Sequence, residues 1–356
     1  MADLTISEIN KRLATVVLPC GRPLADFVKR LDFEAPALSI DLAIEYPLGK
    51  TERDALIQAL GQDLVVKLSV SVACSAHIAR DGQAPLPGIK NVIGIASGKG
   101  GVGKSTTALN IALALSAAGA AVGLLDADIY GPSVPHMLGV VSKPEMTADK
   151  QFRPIIKHGI KTMSMGYLVD AATAMAWRGP MISAALKQLL GDTDWGELDY
   201  LIIDLPPGTG DISLTLAKST PLSAVVLVTT PQALARIDVL KAAHFFVKMS
   251  IPVLGIIENM SEALCSACGA VQAVFGDTGG DLLAQHCQVP LLGRIPLKAL
   301  IRQAADLGTP ELIAEKDASL ADLYSQVAVK IAAQLALQKK SYAHLFAPVV
   351  IEKEQE

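Results

Sequence analysis

The stretch Asn91–Thr107, NVIGIASGKGGVGKSTT, constrains this chain more than any other. Val92, Ile93 and Ile95 form a short apolar run, the glycine-rich segment Gly98–Ser105 follows at once, and a helical pattern opens at Thr106. Strand, phosphate loop and helix in that order make an anion site. The glycines let the backbone N–H groups of Gly98, Lys99, Gly100, Gly101, Val102 and Gly103 turn inward around a polyphosphate, while Lys104 adds a positive charge. The Ser105 hydroxyl can ligate Mg²⁺, and the helix beginning at Thr106 aims its partial positive charge at the same place. A merely flexible glycine turn is the alternative; the match at all fixed positions and the flanking strand and helix weigh against it. The stretch predicts a site for ATP or GTP.

With 356 residues, 51% of them hydrophobic and 19% charged, the chain is long enough for two domains around a large buried core. The net charge of −4 offers no basic excess for nucleic acid or an anionic membrane. The N-terminal MADLTISEINKR has no apolar secretory region, so a cytoplasmic location is expected. Five cysteines do not form a disulfide framework in such a chain.

Residues 1–83 read as a small α+β domain, 84–90 as a linker at the end of the Gly- and Pro-rich run Arg80–Lys90, 91–340 as the nucleotide-binding domain, and 341–356 as an acidic tail. Within the large domain, apolar runs alternate with helical patterns. This predicts an α/β fold with a doubly wound, mostly parallel sheet and the ligand at its carboxyl edge. Two runs end in acids there. In AVGLLDADIYGPS, Asp126 is placed to support Mg²⁺ and Asp128 to orient an attacking water; in LDYLIIDLPPGTGD, Asp204 is a second Mg²⁺ carboxylate, and Pro206-Pro207-Gly208 forms a loop able to sense a γ-phosphate. The plainer alternative is that these acids cap turns. Asn259 follows the apolar strand Ile251–Glu258. Further on, Cys265-Ser266-Ala267-Cys268 puts two thiols in one turn, a pattern used for zinc, iron–sulfur clusters or redox dithiols. Cys20, Cys74 and Cys287 lack ligand spacing and read as core thiols.

The extra Lys99 in GKGGVGKS resembles the deviant phosphate loop of the MinD, ParA and nitrogenase-iron-protein superfamily. DIYGPSVPHMLG, MAWRGPM and ENMSEALCSACGAVQAVFG narrow this to a resemblance to the Mrp/ApbC-type iron–sulfur cluster carrier ATPases. The resemblance implies a homodimer in which Lys99 reaches the partner's nucleotide and joins Lys104 and Asp128 in catalysis. It further implies that Asn259 contacts adenine, favouring ATP. Cys265 and Cys268 would then meet their own copies to hold a 4Fe–4S cluster, received from an upstream scaffold and delivered to apo iron–sulfur proteins. Residues 1–83 resemble the small iron–sulfur assembly domain that precedes such ATPases, although Leu18-Pro19-Cys20 stands where Asp-Pro-Glu is usual and Ser75 follows Cys74 where proline is usual. Three rivals remain. A positioning ATPase calls for a basic surface or a membrane-binding tail, a nitrogenase-type reductase draws its cysteines from separate segments, and a zinc-stabilised NTPase keeps its metal within one protomer.

Overall fold

Near-continuous apolar runs in the central strands let both faces of one sheet be buried, and that sheet organises the molecule. The computed structural model describes residues 5–34, 36–61, 64–79, 83–168, 179–208, 210–265, 267–277 and 279–342. In chain order the strands are β1 (Val28–Glu34), β2 (Ala37–Ile44), β3 (Val65–Val72), β4 (Val92–Ser97), β5 (Val122–Asp126), β6 (Ile155–Lys157), β7 (Ile160–Ser164), β8 (Tyr200–Asp204), β9 (Ala224–Thr229), β10 (Val253–Asn259), β11 (Ala263–Leu264), β12 (Val271–Gln272) and β13 (Leu291–Ile295). The α-helices are α1 (Ile6–Thr15), α2 (Lys50–Leu60), α3 (Lys104–Ala117), α4 (Val134–Met137), α5 (Gly179–Gly191), α6 (Asp211–Ser219), α7 (Ala233–Lys248), α8 (Gly279–Cys287), α9 (Ala299–Leu307), α10 (Leu312–Lys316) and α11 (Ala318–Ala336).

The large sheet has eight strands in the order β13-β10-β9-β4-β8-β5-β7-β6. Every neighbouring pair is parallel except the edge pair β6/β7. The side-chain period of two sorts β4 between two cores: Ile93 and Ile95 join Leu109, Ile111, Val327 and Ile331 of α3 and α11 on one face, and Val92 and Ala96 join Leu186, Val239 and Phe246 of α5 and α7 on the other. This is the doubly wound arrangement expected from the alternation of strand and helix patterns. The antiparallel β6/β7 hairpin is an addition at one edge.

Ahead of it lies a three-stranded sheet, β1-β2-β3, with β1 antiparallel and β3 parallel to β2. Leu38, Ile40, Leu42 and Ile44 alternate along β2 and are buried with Ile9 and Leu13 of α1 and Leu56 and Leu60 of α2. α1 opens on a capping box, with Thr5 and Glu8 satisfying each other's backbone N–H groups, and it stops at Thr15, short of the apolar Val16 and Val17. Val17 instead pairs with Pro23. The chain after α11 returns to this unit. Ile78 N–H donates to the Lys339 carbonyl at 2.9 Å, Ser341 N–H to the Ala76 carbonyl at 2.8 Å, and Lys340 pairs with Glu45. Among the described residues, no helix is long and apolar enough to cross a membrane.

Candidate functional site

The phosphate loop leaves the carboxyl end of β4, whose six residues are all buried. Gly101 and Gly103 have φ of 78°, in the left-handed region, which lets the chain reverse and enter α3. A Cβ on Gly98 would collide with the Asp238–Val239 backbone, so α7 backs the loop at closest approach. On the other side, a Cβ on Gly100 or Gly101 would meet nothing within 4 Å. The loop is thus packed behind and open in front, a cradle that a phosphate would fill.

Lys104 lies at the start of α3 and is 6% exposed. Its ammonium pairs with Asp204 Oδ1, and Ser105 Oγ lies 3.4 Å from Lys104 Nζ. Asp204 is fully buried, and its second oxygen, Oδ2, has no hydrogen-bond partner among the described residues. An orphaned carboxylate oxygen beside the Ser105 hydroxyl is a hard-oxygen donor set suited to Mg²⁺. Asp126 ends the adjacent strand in direct register with Asp204. Its Oδ1 accepts from Asp128 N–H at 3.1 Å, and its Oδ2 accepts from Ser133 N–H at 3.0 Å, Val134 N–H at 3.1 Å and the Ser164 hydroxyl at 3.1 Å. Asp126 therefore holds together the loop that carries Asp128, and any support it gives Mg²⁺ runs through that loop. Burial, with Asp204 alongside, pushes its carboxyl up to about 7. Burial raises Asp204 as well, against the opposing pull of Lys104. Asp128 is half-buried beside this pair.

Lys99 is half-buried and donates to Gln232 Oε1 at 3.1 Å within its own chain. Ser97 Oγ donates to the Lys99 carbonyl at 2.9 Å, and Gly208 N–H to the Ser97 carbonyl at 2.9 Å, which ties the Pro206-Pro207-Gly208 loop to the end of β4. Thr106 Oγ1 lies 3.7 Å from Met137 Sδ. Asn259 is 7% exposed and donates from Nδ2 to the Val102 carbonyl at 2.8 Å, so its amide is engaged by the loop backbone itself. Gln232 and Ser164 escaped the sequence reading, although both stand where carboxyl-edge residues stand, just after β9 and at the end of β7. Arg178, in MAWRGPM, lies outside the described residues.

Cys265 and Cys268 occupy the turn between β11 and β12, two strands of two residues each. Cys265 N–H donates to the Ala270 carbonyl at 2.9 Å, and Gly269 N–H returns to the Cys265 carbonyl at 2.8 Å. Cys268 is exposed and Cys265 partly so. Backbone N–H groups of Ala267 and Cys268, and then the Cys268 thiol, point at the Cys265 sulfur and hold its pKa below the usual thiol range. Among the described residues, no group of three or more His, Cys, Asp or Glu side chains could hold a metal ion, so this turn supplies two sulfurs and nothing further. Cys20 and Cys74 are buried, and Cys287 is half-buried and packs against the core that contains Leu283 and Ala284 of α8.

The profile of the ParA family, described as NUBPL iron-transfer P-loop NTPase, matches residues 88–332. The chain is 49% identical over 273 residues to an iron-sulfur cluster carrier protein of Escherichia coli strain K12, covering 76% of this chain and 73% of that one. It is 44% identical over 255 residues to the mouse iron-sulfur cluster transfer protein NUBPL, covering 71% and 80%. Among solved structures, a nucleotide-binding protein from Archaeoglobus fulgidus in complex with ADP superposes with a TM-score of 0.56 at 37% identity, over 63% of this chain and 88% of that one. The cell division ATPase MinD of Pyrococcus furiosus shares the fold, with a TM-score of 0.52 at 21% identity over 68% of this chain and 98% of that one. The open glycine cradle backed by α7, with the buried Lys104–Asp204 pair at its foot, is the structural counterpart of that sequence match, and the chain belongs to the ParA/NUBPL family of iron-transfer P-loop NTPases.

Proposed function

We propose that this protein is an iron–sulfur cluster carrier that binds and hydrolyses ATP, works as a homodimer, and passes a 4Fe–4S cluster from an upstream scaffold to apo iron–sulfur proteins in the cytoplasm. The observation that carries this reading is the exposed Cys265–Cys268 turn. It presents two sulfurs with no further ligand nearby among the described residues, on a chain whose relatives are named for cluster carriage and transfer. A twofold dimer would bring two such turns together and supply four thiolates to the cluster, which is cargo and stays at the surface for hand-over.

In the nucleotide site, the N–H groups of residues 98–103 and the Lys104 ammonium would neutralise the phosphates, and Asp128 would place the water. Ser105 and the free oxygen of Asp204 fit a resident Mg²⁺, which would offset charge between the β- and γ-phosphates. Lys99 would leave Gln232 for the partner's nucleotide, and the Asn259 carbonyl oxygen would face adenine. Residues 1–83 would act as a separate assembly-like domain joined through 84–90 to the ATPase domain, 91–340, with 341–356 as a tail.

Anaerobic reconstitution, followed by iron and sulfide analysis, electron paramagnetic resonance and sizing, tests the carrier reading. The expected product is a dimer with about two irons per chain. One zinc per chain in a protein that stays monomeric would overturn it.

A further inference from the structure

The cysteine turn and the phosphate loop are joined by a short, rigid stretch of chain. Asn259 Nδ2 donates to the Val102 carbonyl at 2.8 Å, and a Cβ on Gly103 would collide with that same amide. The Val102 carbonyl and the Gly103 N–H belong to one planar peptide unit. A phosphate accepting the Gly103 N–H therefore orients and polarises the group on which Asn259 rests. Beyond Asn259 the chain has little slack. Met260 is in the left-handed region with φ of 56°, a conformation a non-glycine residue holds only where its surroundings impose it. Ser261 donates through both N–H (3.0 Å) and Oγ (3.2 Å) to the Ile295 carbonyl, and Leu297 N–H donates to the Glu262 carbonyl at 2.7 Å. The next residue, Ala263, begins β11, and Cys265 follows that strand.

The far end of the segment is tied to the same neighbourhood. The Glu258 carboxylate, 1% exposed, accepts from Gly280 N–H at the start of α8, and its other oxygen lies 3.3 Å from Arg294 Nε. A Cβ on Gly279 would collide with Pro231, whose neighbour Gln232 holds Lys99. The segment that displays the cysteines thus starts from Asn259, which touches the phosphate loop, and ends against Pro231 and Glu258, the chain neighbours of the loop-touching Gln232 and Asn259.

We propose that Asn259 is a positioning residue that transmits occupancy of the phosphate loop to the Cys265–Cys268 turn. The amide acts through the Val102–Gly103 peptide, and Ser261 and Glu262, pinned to the end of β13, pass its displacement on as a shift of the hairpin instead of absorbing it. The inference deepens the carrier reading, resting on it only for what the turn is used for, and would give a carrier two settings of its sulfurs according to whether the loop is filled.

The test reads the thiols and needs no iron. Reduced, cluster-free protein is alkylated with N-ethylmaleimide with and without saturating Mg–ADP, and modification of Cys265 and Cys268 is followed by peptide mass spectrometry. In the wild-type chain the rate at these two thiols should change by about fivefold or more, the lower end of ordinary coupling between sites. Asn259→Ser, which removes the donor, and Asn259→Asp, which keeps its size and replaces it with an acceptor, should each lose that change when measured at nucleotide concentrations saturating for the variant. Equal wild-type rates with and without nucleotide would overturn the proposal whatever the variants do, as would a full response in a folded Asn259→Ser chain. A protein that holds no cluster yet keeps the nucleotide-dependent thiol rates would overturn the carrier reading and leave this coupling standing.

Discussion

Asp126 and Asp204 stand side by side in register at the carboxyl ends of β5 and β8, exposed by 1% and 0%. The same edge position leads to different work. Asp126 spends both oxygens on four donors that shape the loop carrying Asp128, whereas Asp204 has one oxygen on Lys104 and one without a partner among the described residues. Asp204 is thereby the acid left free to receive a cation, and Asp126 is the acid that organises.

This pairing sets a pH dependence. Burial lifts the Asp126 carboxyl from an ordinary 3.8 to about 7. Between those values the folded, metal-free chain holds a proton that the unfolded chain has released, so stability falls as pH rises through the window and returns as pH falls. Chelator-treated protein should therefore unfold at lower urea at pH 8 than at pH 6.5. Mg–nucleotide binding favours the ionised carboxylates and should weaken as pH drops from 8 to 6. Titration calorimetry that finds a constant Mg–nucleotide affinity over that range would contradict this assignment.

Lys104→Ala removes the cation at the foot of the cradle and strands Asp204. Nucleotide binding or turnover should be lost, and the apo-protein should be destabilised by about 2 kcal/mol, because a buried carboxyl loses its cationic partner. Equilibrium unfolding together with nucleotide binding checks both parts; undiminished ATPase activity would remove Lys104 from its proposed role.

Asp128→Ala should separate binding from hydrolysis. Its backbone N–H, not its side chain, donates to Asp126, so the loop keeps its shape when the side chain is truncated. Nucleotide affinity should stay within about threefold, while single-turnover hydrolysis slows by about 10²-fold or more, the ordinary cost of losing a group that positions a reactant. A variant that binds poorly but hydrolyses normally what it binds would place Asp128 elsewhere.

Cys265→Ala and Cys268→Ala should each abolish retention and transfer of a reconstituted cluster and leave nucleotide affinity intact. Substitution of Cys20, Cys74 or Cys287 should leave cluster retention nearly unchanged, with the two buried positions read instead as a loss of stability. A cluster that survives in the Cys265→Ala/Cys268→Ala double variant rules out this pair as its seat.

By itself the amino-acid sequence determined the features whose physics is local. The phosphate loop is contiguous, and its glycines, lysine and serine act through backbone amides and a helix start only a few residues away. The strands β4, β5, β8, β9 and β10 are apolar up to the polar residues at their carboxyl ends because they are buried on both faces, and the resulting alternation of strand and helix specifies a doubly wound sheet. Where the signal weakens, the sequence is mute. β1, VKRLDFE, is a charged strand that exists because β2 lies beside it, and the β6/β7 hairpin is too short to show a period. Tertiary structure alone decided how residues distant along the chain share their work. It joined Lys104 to Asp204 and Lys99 to Gln232, gave Asp126 its four donors, and set Asn259 on the loop backbone 157 residues away. Those choices follow from which strand ends neighbour one another in the sheet, and strand order is a property of the packed whole that no single stretch of chain encodes.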